Sequence, residues 1–197
     1  MALPILDRFS IGIILLDSAG RILSANASAR GLMRNGQRLG PNTSIFESLP
    51  AASQLLGEHI EKAQAPATIA MSIPRAADGS PLMVLVSGLR PKEAAQLGRA
   101  FQHAATILFL CDPIRPIELP VAWMMDAYGL TLAEARTALS ASSGMTVAGM
   151  ARQLGLSPNT IKTHLRRVFA KTNTGRQAEL ARLVASLAVL RYPLADP

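Results

Sequence analysis

The chain has 197 residues and a formal charge of +7; 49% of its residues are hydrophobic, 17% charged and 4% aromatic. That is enough aliphatic material for one or two real cores, which excludes intrinsic disorder. A single cysteine, Cys111, excludes a disulfide framework and a multi-thiolate metal site, and His59, His103 and His164 are too scattered for a zinc centre.

No apolar run approaches the roughly 18–20 residues needed to span a bilayer. Residues 1–8 lack the basic-then-apolar order of a secretory signal. A soluble, cytoplasmic protein with no membrane partner is expected. In chain order, Ile11-Gly12-Ile13-Ile14-Leu15-Leu16 is a β-rich run ending at the turn signal Asp17-Ser18-Ala19-Gly20, and Arg21-Ile22-Leu23-Ser24-Ala25 then alternates. That predicts a hairpin. Residues 26–65 turn helical, with Asn26 as a cap and Leu55, Leu56, His59, Ile60 and Ala63 at helical spacing. Strands follow over residues 68–73, 81–89 and 104–111, the first two joined through Ala76-Ala77-Asp78-Gly79. The order predicts an α+β domain over residues 1–112, a five-stranded antiparallel sheet with short helices.

Two of these strands do not alternate as a strand with one wet face should: Leu82-Met83-Val84-Leu85-Val86 and Ile107-Leu108-Phe109-Leu110. Both faces are therefore expected to be covered, the inner one by the domain's own helices. The outer cover is the amino-terminal segment (Leu3, Ile5, Leu6), residues 93–100, or the same sheet of a second copy. The sharpest expectation is a homodimer through this face.

Asp112-Pro113-Ile114-Arg115-Pro116-Ile117-Glu118-Leu119-Pro120 carries three prolines in nine residues, which oppose helix and central strand. Residues 113–122 are read as a stiff connector. Residues 123–197 then read as an all-α, four-helix domain. Thr131-Leu132-Ala133-Glu134 is a capping box opening a helix that ends near Gly144. Thr146 caps the next helix, which stops at Gly155. Ser157 caps a third, with Pro158 at its first position, where the missing N–H is harmless. Thr174-Gly175-Arg176-Gln177 is read as a second capping box opening the last helix, striped by Leu180, Leu183, Val184, Leu187 and Leu190. Ala151, Gly155 and Ile161 have helix-turn-helix spacing: a small residue at the crossing, a left-handed turn and a core anchor.

Charge singles out the third of these helices. Between Ala135 and Ala178 there is no carboxylate, yet seven bases occur: Arg136, Arg152, Lys162, Arg166, Arg167, Lys171 and Arg176. A single-sign stretch repels itself unless a polyanion neutralises it, and a solvated face would carry Glu–Lys pairs. At 100° per residue, Ile161, Leu165, Val168 and Phe169 form the buried side. Asn159, Thr163, Arg166, Arg167 and Ala170 lie opposite, with Lys162 beside them. Arg or Lys pairs with guanine, Asn with adenine, and a Thr methyl with the thymine methyl, so this face suits the major groove of double-stranded DNA.

Tyr128-Gly129-Leu130-Thr131-Leu132-Ala133-Glu134-Ala135-Arg136, the run from Met150 to Leu165, Phe169-Ala170-Lys171-Thr172 and Arg176-Gln177-Ala178-Glu179-Leu180 together resemble the LuxR-type (GerE/NarL-like) DNA-binding domain, over roughly residues 125–190. The resemblance implies base contacts from Lys162, Thr163 and Arg166, to which the face count adds Asn159. It also implies backbone contacts from Thr160, His164, Lys171 and Arg176, with Arg167 alongside, and dimerisation through the last helix. One departure is Ala148-Gly149-Met150-Ala151, where many members have Lys-Glu before Ile-Ala. The opening run from Gly12 to Asn26, followed by Ala29, resembles a PAS sensor domain, which often encloses a ligand. A lactone-binding LuxR domain would be longer and richer in Trp and Tyr, and a phosphoacceptor receiver needs an acidic cluster where Asp17 stands alone. Cys111 ends a strand, wrong for flavin photochemistry, and reads as a buried small hydrophobe. Glu58 and Glu61 flank His59, wrong for haem. No cofactor is expected; a small-molecule effector, or dimerisation as the sole task, both stay open. With no phosphate-cradling Gly loop and no nucleophile motif, the chain is expected not to be an enzyme. The alternative to a DNA-binding regulator is a signalling module whose helical part contacts protein.

Overall fold

The computed structural model describes residues 4–33, 42–49, 53–62, 68–74, 79–114 and 119–189. It divides into two compact units, Met1–Arg115 and Pro116–Pro197.

In the amino-terminal unit β1 (Gly12–Asp17) and β2 (Ile22–Ala25) form the expected hairpin, and α1 (Ala27–Leu32), α2 (Ile45–Ser48) and α3 (Ser53–Lys62) follow. Next come β3 (Thr68–Pro74), β4 (Pro81–Gly88), α4 (Pro91–Gln96) and β5 (Ala104–Cys111). All pairings are antiparallel, in the order β2-β1-β5-β4-β3. This is the α+β arrangement read from the sequence, a five-stranded antiparallel sheet with short helices. Asp17 makes the hairpin: its carboxylate accepts from the N–H groups of Ala19 and Arg21, at 2.9 and 2.8 Å, and Gly20 takes φ +72°. The core lies between the inner sheet face and α1–α3, with Ile14, Leu16, Val84, Val86, Leu108 and Leu110 meeting Ala29, Ile45 and Leu56. Gly12 is where α1 comes closest, since a Cβ there would stand 3.0 Å from the Ala29 Cα.

Asn26 caps α1 and is buried, with all four of its side-chain bonds made. Its Oδ1 accepts from Ile13 N–H at 2.8 Å and Ala29 N–H at 2.9 Å. Its Nδ2 donates to the carbonyls of Leu6 at 2.8 Å and Ile11 at 2.9 Å. One side chain thus ties the amino-terminal 3-10 turn (Pro4–Arg8) and β1 to α1.

The outer face is covered unevenly. Ala94 of α4, Phe101 and Ala104 pack over Leu15, with Ile107 alongside, so the stretch 93–100 shields the β1–β5 side. Ile5 is 65% exposed and provides no such cover. On β4, Leu82, Val84 and Val86 point inward, whereas Met83 and Leu85 stand 40% and 38% exposed. The non-alternating run therefore keeps one apolar row open, among the described residues. Cys111 is exposed rather than buried, because it falls on that outer row opposite Met83.

The carboxy-terminal unit is all-helical. The four helices read from the sequence are α6 (Leu132–Ser142), α7 (Val147–Leu154), α8 (Pro158–Thr172) and α9 (Gln177–Leu187). A further helix, α5 (Val121–Tyr128), precedes them and takes up Val121 and Ala122 of the expected connector. Its residue Met124 is buried in the core with Ala135, Ala138, Met150, Ile161, Val168, Leu180 and Val184. Helix α9 starts at Gln177 with Arg176 as its cap, not at the expected Thr174 box. The Thr174 hydroxyl instead meets the Thr172 hydroxyl at 2.8 Å, and Glu179 reaches back to Gly175 N–H at 2.7 Å. Connector residues 115–118, turn residues 76–78, Leu3, Ala63, Leu190 and the side chains of Leu55 and His59 lie outside the described set.

Candidate nucleic-acid interface

Helix α7 ends where Gly155 adopts φ +66°, a left-handed conformation that costs an L-residue and suits glycine. Leu156 N–H then returns to the Ala151 carbonyl at 3.0 Å, closing the turn. Ser157 accepts from Thr160 N–H at 3.1 Å and caps α8, with Pro158 at its first position. Three local signals, glycine, serine and proline, therefore set the angle between the two helices.

Ile161 and Val168 anchor α8 in the core, with Leu165 and Phe169 packed beside them. On the other side Asn159, Lys162, Thr163, Arg166, Arg167 and Ala170 are exposed. Among the described residues no ion pair or side-chain hydrogen bond engages Asn159, Lys162 or Arg166. Thr163 differs, since its Oγ1 donates to the Asn159 carbonyl at 3.0 Å. The expected base-reading set thus shares one solvent-facing side of a single helix.

The expected backbone set scatters. Thr160 is half-buried, its hydroxyl 2.8 Å from that of Ser157. His164 is half-buried too, and its Nδ1 is buried without a hydrogen-bond partner among the described residues. Arg176 is exposed and pairs with Glu179 at 2.9 Å. Lys171, its side chain 37% exposed, is tied within the domain: its ammonium donates to Glu134 Oε2 at 2.7 Å and to the Gly129 carbonyl at 2.8 Å.

The sequence reading gave Glu134 only a capping role. Its side chain is 2% exposed and makes the full capping box with Thr131, while Lys171 at 2.7 Å and Arg167 at 3.9 Å converge on its carboxylate. The Lys171 hydrogen bond comes first and the Thr131 backbone N–H second in holding its pKa down to about 2. The Glu134–Lys171 pair therefore pins the start of α6 to the last turn of α8, and Lys171 adds the end of α5 through the Gly129 carbonyl. Three of the seven bases in the acid-free stretch are answered by carboxylates one residue outside it, Arg167 and Lys171 by Glu134 and Arg176 by Glu179; among the described residues Arg136, Arg152, Lys162 and Arg166 carry no ion pair, and of these Lys162 and Arg166 share the outer side of α8.

The match to known proteins falls on these helices. Residues 130–184 fit the family described as "Bacterial regulatory proteins, luxR family". The carboxy-terminal unit carries a LuxR-family helix-turn-helix domain over these residues. The match opens at Leu130, just before the Thr131 cap, and leaves α5 outside. Among curated proteins none matches the sequence. Of solved structures, a phage VqmA–DPO complex is 19% identical with a TM-score of 0.40, covering 90% of this chain and 82% of that one. A Vibrio cholera VqmA–ligand–DNA complex is 16% identical with a TM-score of 0.37, at 90% and 82% coverage. A PAS domain from Colwellia psychrerythraea is 13% identical with a TM-score of 0.39, covering 54% of this chain and 88% of that one.

Within the LuxR-family domain Gly149 sits in the first turn of α7, its N–H donated to the Thr146 cap oxygen at 3.1 Å, with space beside it. A Cβ there would meet Thr146 Oγ1 at 3.4 Å and Met145 Cε at 3.5 Å, ordinary van der Waals contacts. Gly149→Ala is expected to stabilise the domain by about 0.5–1 kcal/mol, through the lower backbone entropy of the unfolded chain. The chain's one tryptophan, Trp123, packs on this domain's core, so its fluorescence during denaturant unfolding reads the change. A lower midpoint would refute the expectation.

Proposed function

We propose that the chain is a homodimeric transcriptional regulator and not an enzyme, in which α8 of the LuxR-family domain enters the major groove. Asn159, Lys162, Thr163 and Arg166 read bases; Thr160, His164, Arg167 and Arg176 face the phosphates. The PAS-like domain supplies the input, by binding a small effector, by dimerising, or both. The observation that carries this reading is the pair Lys162 and Arg166, exposed on one helix face with no carboxylate paired to either among the described residues. An exposed cationic row of that kind matches a polyanion, and a mixed-sign face does not. Dimerisation is supported by the open apolar row Met83 and Leu85 of β4, which a second copy's sheet would cover. A DNA partner places the protein in the cytoplasm.

The test is selection of duplexes by the purified full-length chain from a random pool. Arg166→Ala is then expected to cost about 1–3 kcal/mol on the selected sequence and to relax preference at one position. Because Lys171 is tied to Glu134, its loss is expected to act on folding rather than to flatten the salt dependence of binding. Binding to a protein partner, with no duplex retained at about 50 mM salt, would favour a protein-contacting module instead.

A further inference from the structure

We propose that Thr163 reads DNA through its methyl group and not its hydroxyl, making α8 selective for a 5-methylpyrimidine (thymine, or 5-methylcytosine) at one position of its site. This rests on the reading that α8 lies in the major groove. A threonine hydroxyl has one hydrogen, and that of Thr163 is donated to the Asn159 carbonyl one turn earlier, at 3.0 Å. Such back-bonding is a favoured arrangement for threonine in a helix, and it fixes the side-chain rotamer. With the oxygen held against the helix, no donor is left for guanine O6 or N7, adenine N7 or thymine O4. The side chain is nonetheless exposed, so the methyl is what it offers outward. The Thr160 hydroxyl is also engaged, sharing a hydrogen bond with the Ser157 hydroxyl at 2.8 Å. The polar reading on this face is left to the Asn159 amide, the Lys162 ammonium and the Arg166 guanidinium. Thr163 stands beside Lys162 and three residues before Arg166, so an apolar contact sits between two cationic ones. In the major groove only thymine, among unmodified bases, presents a methyl group to meet it.

The experiment uses the full chain and a duplex that it selects from a random pool, with each thymine replaced in turn by deoxyuridine, which removes the methyl alone. One replacement is expected to weaken wild-type binding about fourfold, the worth of one buried methyl-sized group. Cytosine at that position is expected to bind poorly and 5-methylcytosine to recover the loss. Thr163→Val keeps the methyl and drops the hydroxyl, and is expected to retain the wild-type sensitivity to deoxyuridine at that position. Thr163→Ser keeps the hydroxyl and drops the methyl. It is expected to bind about fourfold more weakly and to be indifferent to deoxyuridine, which separates a direct contact from a change in duplex shape. The proposal is overturned if the serine variant retains wild-type affinity and the valine variant loses it, or if wild type is indifferent at every thymine. Either of those results leaves groove reading intact, because a selected sequence exists. Failure to enrich any duplex overturns both.

Discussion

Lys171→Met is expected to lower the stability of the carboxy-terminal domain by about 3 kcal/mol at neutral pH, because it strands a buried carboxylate while filling much the same volume. The Glu134 side chain is 2% exposed, so water does not replace the lost ammonium, and Arg167 at 3.9 Å is a partial substitute only. The loss carries a pH signature. In the wild type the Glu134 carboxyl titrates at about 2, down from an ordinary 4.5. A depressed carboxylate stabilises the fold above its unfolded value, and that contribution disappears as pH falls from about 4.5 through about 2; here it is on the order of 2–3 kcal/mol. Without Lys171 the largest cause of the depression goes while the Thr131 hydrogen bonds remain, so the depression shrinks and the gap between variant and wild type should narrow as the solution is acidified through that window. Trp123 fluorescence in denaturant titrations at several pH values measures it. A loss that stays constant from pH 7 to pH 3 would mean that Lys171 works by packing alone.

Asn26→Ala is the second large effect, expected to cost about 3 kcal/mol or more in the amino-terminal unit. The substitution leaves the N–H groups of Ile13 and Ala29 and the carbonyls of Leu6 and Ile11 without the partner that now holds them. Helix-cap loss alone accounts for only about 1 kcal/mol, so a value that small would show that the tether to the 3-10 turn contributes nothing. Asn26→Asp keeps the Oδ1 that accepts from Ile13 and Ala29 and turns the second carboxylate oxygen toward two carbonyls. It should be intermediate, and should recover as pH falls, when a proton restores one donor. Hydrogen exchange at Ile13 and Ala29 reads the effect locally, where the single tryptophan of the other unit is silent.

The two variants mark a boundary in what a sequence carries. Asn26 as a cap, Thr131 with Glu134, Ser157 with Pro158 and Gly155 were legible because each acts across three or four residues, and those offsets are fixed by helix geometry alone. The strands read well for the same reason, and the cationic side of α8 followed from a 100° step applied to Asn159, Lys162, Thr163 and Arg166. The opening of α9 misled. Thr174 has the composition of a cap, but Thr172 holds its hydroxyl, and the helix begins three residues later.

What the chain alone determined, then, was the five strands, the helices α6 to α9 and the faces they turn inward, though not α4 or α5, since periodicity and caps are short-range physics. Tertiary structure decided which charges stay available. Lys171 meets Glu134 across 37 residues, and no local rule links two positions so far apart. It also decided that α4 shields only the β1–β5 side of the sheet, leaving Met83 and Leu85 open. Cover and ion pairing depend on where distant elements pack, and packing is settled by the shapes of whole cores rather than by any residue's neighbours in the chain.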